Sequence, residues 1–338
     1  MKRRELLALG LFYPLGVFSQ VQYSKVTADP AFRFPRDHGA HPDYRQEWWY
    51  VTGWLKTERG EELGFQVTFF RTRPDLETAN PSAFTPRQVI LAHAALADPR
   101  HGRLRHDERA ARAALGLAGS SEGTTSVWLD DWALDLHEDL YRARIRARDF
   151  SLELNFATKD QPLLQGDAGF SRKGNGPEEA SYYYSRPQLR VSGTANGERV
   201  TGTAWLDHEW SSKYMAGGAA GWDWCGINLD DGGSLMAFRM RGRDGTTIFA
   251  PPGVSFQPLR TWKSPRTGAE YPVEFLVRTK ATELRLQPLM DDQELDARAS
   301  TGTIYWEGAV RAFEANSGGA PVGRGYLELT GYWKPLKF

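Results

Sequence analysis

The reading of this chain turns on Ala204-Trp205-Leu206-Asp207-His208-Glu209-Trp210-Ser211-Ser212 and on the Gly221-Trp222-Asp223-Trp224 that follows it. Residues 204–224 hold three carboxylates, one imidazole and four of the chain's twelve tryptophans. A glycine-rich break, Gly217-Gly218-Ala219-Ala220-Gly221, cuts the stretch in two. If residues 204–210 are extended, successive side chains alternate faces. Leu206, His208 and Trp210 then share one face, and Trp205, Asp207 and Glu209 share the other. A titratable ring is thereby set among apolar groups, with two acids behind it.

Outward from that stretch, short runs of alternating apolar and polar residues follow one another, separated by turn residues. Glu47 to Leu55 reads as a strand with Trp49, Val51 and Leu55 on one face and Trp48, Tyr50, Thr52 and Trp54 on the other. Bulk on both faces predicts that both are covered. Glu58-Arg59-Gly60 turns the chain, and Leu63 to Phe70 returns as the second arm of a hairpin. Val89 to Ala97 is the next strand, with His93 in phase with Val89 and Leu91. Arg142, Arg144, Arg146 and Arg148 alternate with Tyr141, Ala143, Ile145 and Ala147, giving one wet and one dry face. Asp107 to Leu117, rich in alanine and arginine, is the one stretch that reads as a helix. Asp37-His38-Gly39-Ala40-His41-Pro42-Asp43 reads as a solvated loop. Its two histidines lack the spacing of a dedicated metal site, so no metal ligand is assigned.

Composition sets wider bounds. The chain has 338 residues, 12% of them aromatic, with 34 glycines and 19 prolines. The formal net charge is zero, which argues against nucleic acid or an anionic membrane surface as the main partner. Cys225 is the single cysteine, so no internal disulfide can form and burial must supply the stability. Lys2-Arg3-Arg4 followed by the apolar Leu6 to Phe18 has the pattern of a secretory signal, too short to span a bilayer. A periplasmic or secreted protein without a membrane span is expected after its removal.

An internal echo supports two similar halves. Trp49–Gly53 set over Trp222–Gly226 opens a strand in each half, and each returning strand ends in Phe-Arg-x-Arg, at Phe70-Arg71-Thr72-Arg73 and Phe238-Arg239-Met240-Arg241. Without the signal, about 160 residues remain for each half, enough for one small closed barrel. The expected division is 1–19 signal, 20–216 first domain and 217–338 second. The fold class is all-β: two tandem antiparallel barrels with one short helix in the N-terminal half.

No serine elbow, zincin helix, phosphate loop or dinucleotide fingerprint is present. What remains is an aromatic-lined barrel that encloses one large apolar ligand. A buried carboxylic acid in such a place can stay protonated and act as a general acid, and indole faces can stabilise a cation. The candidate acids are His208, Asp207, Glu209 and Asp223.

Glu47-Trp48-Trp49-Tyr50-Val51-Thr52-Gly53, Tyr182-Tyr183-Tyr184-Ser185-Arg186-Pro187, the Ala204–Ser212 stretch and Gly221-Trp222-Asp223-Trp224 resemble the AttH and carotenoid 1,2-hydratase (hydroxyneurosporene synthase) family. Its members are often labelled predicted secreted hydrolases. The resemblance runs from about residue 30 to the C-terminus and implies two tandem lipocalin-like barrels. It also implies, for hydratase members, cofactor-free addition of water to a terminal isoprenoid double bond. A His-x-Trp pair implicated there matches His208 and Trp210, with Asp207 or Asp223 in support. A tyrosine and an aspartate implicated further along have no counterpart in Ser234 to Arg241. The expected ligand, a lipid or isoprenoid, would meet Trp49, Trp54, His93, Tyr183, Trp222 and Trp224. The AttH-like branch resembles accessories of ABC-type export systems, which makes such a transporter a further expected partner.

Overall fold

A computed structural model describes residues 21–75, 82, 85–158, 160–213, 215–315 and 319–336. The expected signal segment lies outside the described residues. Two antiparallel sheets make up the fold. The first contains β1 Gln46–Thr57, β2 Glu62–Thr72, β3 Val89–Ala97, β4 Arg105–Arg112, β5 Ala118–Ser120, β6 Ser126–Leu129, β7 Trp132–His137, β8 Leu140–Arg146, β9 Ser151–Ala157, β10 Leu163–Leu164, β11 Phe170–Arg172, β12 Ala180–Ala195 and β13 Glu198–Lys213. The second contains β14 Gly221–Leu229, β15 Ser234–Arg241, β16 Thr247–Phe249, β17 Ser255–Lys263, β18 Glu270–Arg278, β19 Glu283–Pro288, β20 Glu294–Ala297, β21 Thr303–Glu314 and β22 Gly323–Leu329.

The first sheet runs β4-β3-β2-β1-β13-β12-β9-β8-β7-β6-β5. It curls until β5 and β6 return against β3 and β4. One apolar core fills the curl, drawing Trp49, Phe65, Ile90, Val127, Trp132, Ile145, Phe156 and Leu206 from strands all round it. The second sheet, β16-β15-β14-β22-β21-β19-β18-β17, encloses its own core of Ile227, Tyr271, Phe275, Leu286, Trp306 and Leu327. This is the lipocalin-like two-barrel architecture.

β1 shows why both of its faces carry bulk. Trp49, Val51 and Leu55 enter the first core. Tyr50 and Trp54 pack with Trp205, Trp224, Phe238, Met240, Ala309 and Tyr326 in a cluster between the sheets. On β8, Tyr141, Ala143 and Ile145 are buried while Arg142, Arg144 and Arg146 face water, which is the predicted alternation.

Two expectations from the sequence are corrected. Asp107 to Leu117 is not a helix: residues 105–112 form β4, paired along its length with β3, and the described residues contain only two three-residue 3-10 turns, Arg36–His38 and Pro99–His101. A waiting edge on β3 and anchors at Asp107 and Glu108 overrode the alanine-rich propensity. The Asp107 carboxylate accepts from Arg148 at 2.8 Å, and Glu108 accepts from the backbone N–H of Ser300 at 2.8 Å. The 37–43 loop is not solvated either, because Asp37, His38 and His41 are all buried.

Candidate active site between the two sheets

β13 separates its side chains as its alternation predicts. Leu206 and Trp210 enter the first core, while Trp205 joins the cluster between the sheets. His208 goes with the first group and is fully buried. The two faces carry different chemistry.

Around His208 lies a closed polar network. Its Nε2 meets Glu47 Oε1 at 2.8 Å and its Nδ1 meets the Tyr184 hydroxyl at 3.1 Å. The same Glu47 oxygen meets His41 Nδ1 at 2.8 Å, and the other accepts from Arg71 Nε at 2.7 Å. Asp37 holds the far nitrogen of His41 at 3.2 Å. Trp210 stacks on His41 at 3.7 Å between ring centres, and Trp49 stacks on His208 at 4.7 Å. Burial alone would lift Glu47, but Arg71 and His41 outweigh it and hold the carboxyl well below its ordinary range. Burial lowers His208 to about 4 despite Glu47, so its ring is neutral. Burial also pulls on His41, but Glu47 and Asp37 raise it.

His41, Glu47 and His208 offer ligand atoms within 4.8 Å of one another, the donor types of a two-histidine, one-carboxylate metal site. A divalent ion there would have to displace the His41 proton and stand beside the Arg71 guanidinium. Two carboxylates, one imidazolium and one guanidinium already balance, so the cluster is satisfied as a hydrogen-bonded lock.

The other face of β13 opens on a cavity. A chamber of about 80 Å³ between the sheets is lined by the aromatic Trp48, Tyr50, Phe70, Tyr183, Trp222, Trp224, Phe238 and Tyr305 and by the acids Asp207, Glu209, Glu307 and Glu328. Asp207 accepts from Tyr183 at 2.6 Å, Ser185 at 2.5 Å and the Trp205 indole at 2.7 Å. Those donors favour the carboxylate, yet burial wins and lifts Asp207 to about 7. Glu209 differs from it: Lys173 Nζ stands 2.7 Å away, and this ammonium lies 4.3 Å from the Phe238 ring centre. The chamber thus holds a paired charge beside a carboxyl poised between its two forms, an arrangement suited to proton transfer.

A vestibule of about 610 Å³ adjoins the chamber. The two share Trp48, Phe70, Trp222, Tyr305 and Glu328. His93 lines the vestibule, with Nδ1 2.8 Å from the Tyr305 hydroxyl and Nε2 2.8 Å from Ser300 Oγ. Burial lowers it to about 3, so it serves as a neutral hydrogen-bonding wall.

The structure therefore divides the residues singled out in the sequence. Asp207, Tyr183, Trp222 and Trp224 meet in the chamber, and His93 stands in the vestibule. His208, Trp210 and Trp49 lie on the opposite face of the shared wall, inside the first barrel. Trp54 packs between the sheets, its indole donating to Gly325 O at 3.0 Å. Asp223 is fully buried and is held by Arg239 at 2.7 Å, Arg241 at 3.3 Å and the Tyr332 hydroxyl at 2.9 Å. Sequence reasoning passed over Lys173, Gln66, Glu307 and Glu328. Glu307 and Glu328 each carried a signal, an acid inside an apolar run, Ile304 to Val310 and Tyr326 to Leu329.

Comparison with known proteins gives this architecture its context. The AttH-like family model matches residues 25–332. The chain belongs to the AttH-like family. A crystal structure of an AttH-like protein from Nitrosomonas europaea is 51% identical, with a TM-score of 0.84, covering 91% of this chain and 99% of that one. Kievitone hydratase from Nectria haematococca shares the fold at 14% identity and a TM-score of 0.63, over 92% of this chain and 96% of that one. No curated protein sequence matches this chain.

Proposed function

We propose that this AttH-like protein takes a large apolar, unsaturated molecule such as a lipid or isoprenoid through the vestibule and hydrates it in the chamber, without a cofactor. The observation that carries the reading is Asp207, a fully enclosed carboxyl lifted to about 7 among aromatic walls. With Tyr183 at 2.6 Å it forms a proton-delivering pair. Transfer of that proton to one alkene carbon leaves a cation on the other, against Trp48 and Trp224. Water forms the new C–O bond and loses a proton to the Asp207 carboxylate, which restores the acid. The sum is one alkene and one water giving one alcohol. His208 supports the same wall from behind and does not touch the ligand. The kinship in fold with a protein named as a hydratase agrees with this reading. Export belongs to the same proposal, supported by the basic start and the apolar Leu6 to Phe18. So does association with an ABC-type exporter, for which the family resemblance is the support.

The test is to purify the protein, identify molecules that co-purify by mass spectrometry, and incubate them in water enriched in the heavy oxygen isotope. Labelled alcohol is expected with the native protein. Asp207→Asn should still bind the ligand and lose at least about a hundredfold in rate, the scale of general acid catalysis. The acid form is the active one, so the rate should be level below pH 7 and fall about tenfold per pH unit above it. Ligand returned unchanged by both proteins would make this a carrier and end the enzymatic reading.

A further inference from the structure

Among the described residues, the acids on the far wall of the chamber have no basic partner. β21 and β22 pair so that Glu307 stands directly opposite Glu328, and like charges in that relation repel. Both side chains line the chamber. Glu307 is 1% exposed. Its Oε1 accepts from the Tyr50 hydroxyl at 2.6 Å, and its Oε2 has no protein partner. Burial drives the Glu307 carboxyl well above its ordinary range, and the charge of Glu328 adds to this. Burial also raises Glu328 to about 7, although the Trp222 indole donates to it at 2.8 Å. Glu307 is therefore a neutral acid with an O–H to give.

Gln66 supplies the complement. It is 1% exposed and lines the same chamber. Its Nε2 donates to Thr68 Oγ1 at 2.5 Å, while its Oε1 is without a protein partner. The chamber so presents one donor without an acceptor and one acceptor without a donor. Each such group is destabilising if left unmatched in a protein interior. The smallest group that answers both is a hydroxyl, which accepts from one side and donates to the other.

We propose that Gln66, Glu307 and Glu328 form a hydroxyl-binding subsite: one oxygen, of water or of a ligand hydroxyl, accepts from Glu307, donates to Gln66 Oε1 and lies beside Glu328. The chamber of about 80 Å³ exceeds the roughly 30 Å³ share of one water molecule. In the hydration reaction this oxygen is the nucleophile, and its proton passes to the Asp207 carboxylate across the chamber. The subsite rests on the reading of the chamber as a ligand site but not on Asp207 as the acid.

Crystal structures of the native protein, grown alone and with 2-naphthol or 2-methylnaphthalene, test the subsite, with titration calorimetry of both probes. The expected result is an oxygen atom within hydrogen-bonding distance of Glu307 Oε2 and Gln66 Oε1. If it belongs to naphthol, that probe should bind about tenfold or more tightly than its methyl analogue, and the ligand is the source. If an ordered water holds the place in every crystal, water is the source. Gln66→Met, which removes the acceptor, should lose the oxygen or the preference. Glu307→Gln, which keeps a donor, should retain it. A place empty of oxygen in all native crystals, together with equal binding of the two probes, overturns the subsite. Asp207→Asn should leave it intact, so the subsite and the hydration reading can fail separately.

Discussion

Arg71 shows how much a single residue can hold at the base of this site. It is 1% exposed, and its guanidinium bonds Glu47 at 2.7 Å, Gln88 at 2.7 Å and the carbonyls of His41 at 2.9 Å and Tyr44 at 3.0 Å. Replacing it by methionine keeps the bulk and removes the charge. Glu47 would then keep its contacts with His41 and the neutral His208 but lose its guanidinium partner, and losing one partner of a buried pair costs about 3–5 kcal/mol. Arg71→Met should lower the unfolding free energy by that amount, read as a fall in the urea midpoint of that energy divided by an unchanged slope. Adding Glu47→Gln should recover part of the loss, since an uncharged pair no longer carries a lone buried charge. The alternation of β13 was legible in the sequence, because period two needs no partner to be seen. Which face would meet a cavity was not legible. His208 and Asp207 are neighbours on one strand, and only the second sheet decides which of them faces a ligand. The wall between them is one strand thick, so a change at His208 would reach the chamber through packing and not through contact.

At the scale of elements, the hairpins were readable and their register was not. The echo of aromatic clusters with Phe-Arg-x-Arg is present, but the strand pairs align it differently from the sequence overlay. Glu47 stands opposite Arg71 and Trp48 opposite Phe70; Asp223 stands opposite Arg239 and Trp224 opposite Phe238. The repeated unit is therefore an acid and a tryptophan facing Phe-Arg, which in each sheet joins a buried ion pair to a chamber wall. Turn lengths differ between the copies, so linear alignment hid this pairing. β4 was missed for another reason: its alanines and arginines favour a helix in isolation, and it is a strand only because β3 offers an edge. Ala110→Val separates the two states. Ala110 is exposed on β4, so a β-branched side chain adds strand preference without a clash, on a scale of up to about 1 kcal/mol. A slightly raised melting temperature is expected. A helix would show a fall of some tenths of a kcal/mol from the same change.

At the scale of the molecule, the site exists only because two curled sheets meet. Asp207 comes from β13, Gln66 from β2, and Glu307 and Glu328 from β21 and β22, a spread in sequence that no local pattern could gather. The sheets are joined by the Tyr50 to Glu307 hydrogen bond at 2.6 Å and by that of Asn228 to the Ala204 carbonyl at 3.0 Å. Arg324 adds an ion pair to Glu62 at 2.7 Å. Gly64 faces the second sheet: a methyl group there would lie 2.6 Å from Ala309 Cβ and 2.7 Å from the Tyr326 hydroxyl. Neither neighbour can retreat, since both are buried within the second sheet's wall. Gly64→Ala must therefore push the sheets apart, at a cost of about 1–3 kcal/mol by the usual measure of overpacking. If the sheets unfold as one unit, a single transition should move to lower temperature in calorimetry, with the near-ultraviolet signal of the interface tryptophans lost at the same point. If they are independent, the transition should split, with the second sheet unmoved. Because Gln66, two residues along β2, lines the chamber, the same displacement should widen the chamber and weaken the preference for a hydroxyl-bearing probe, tying the stability of the interface to the selectivity of the site.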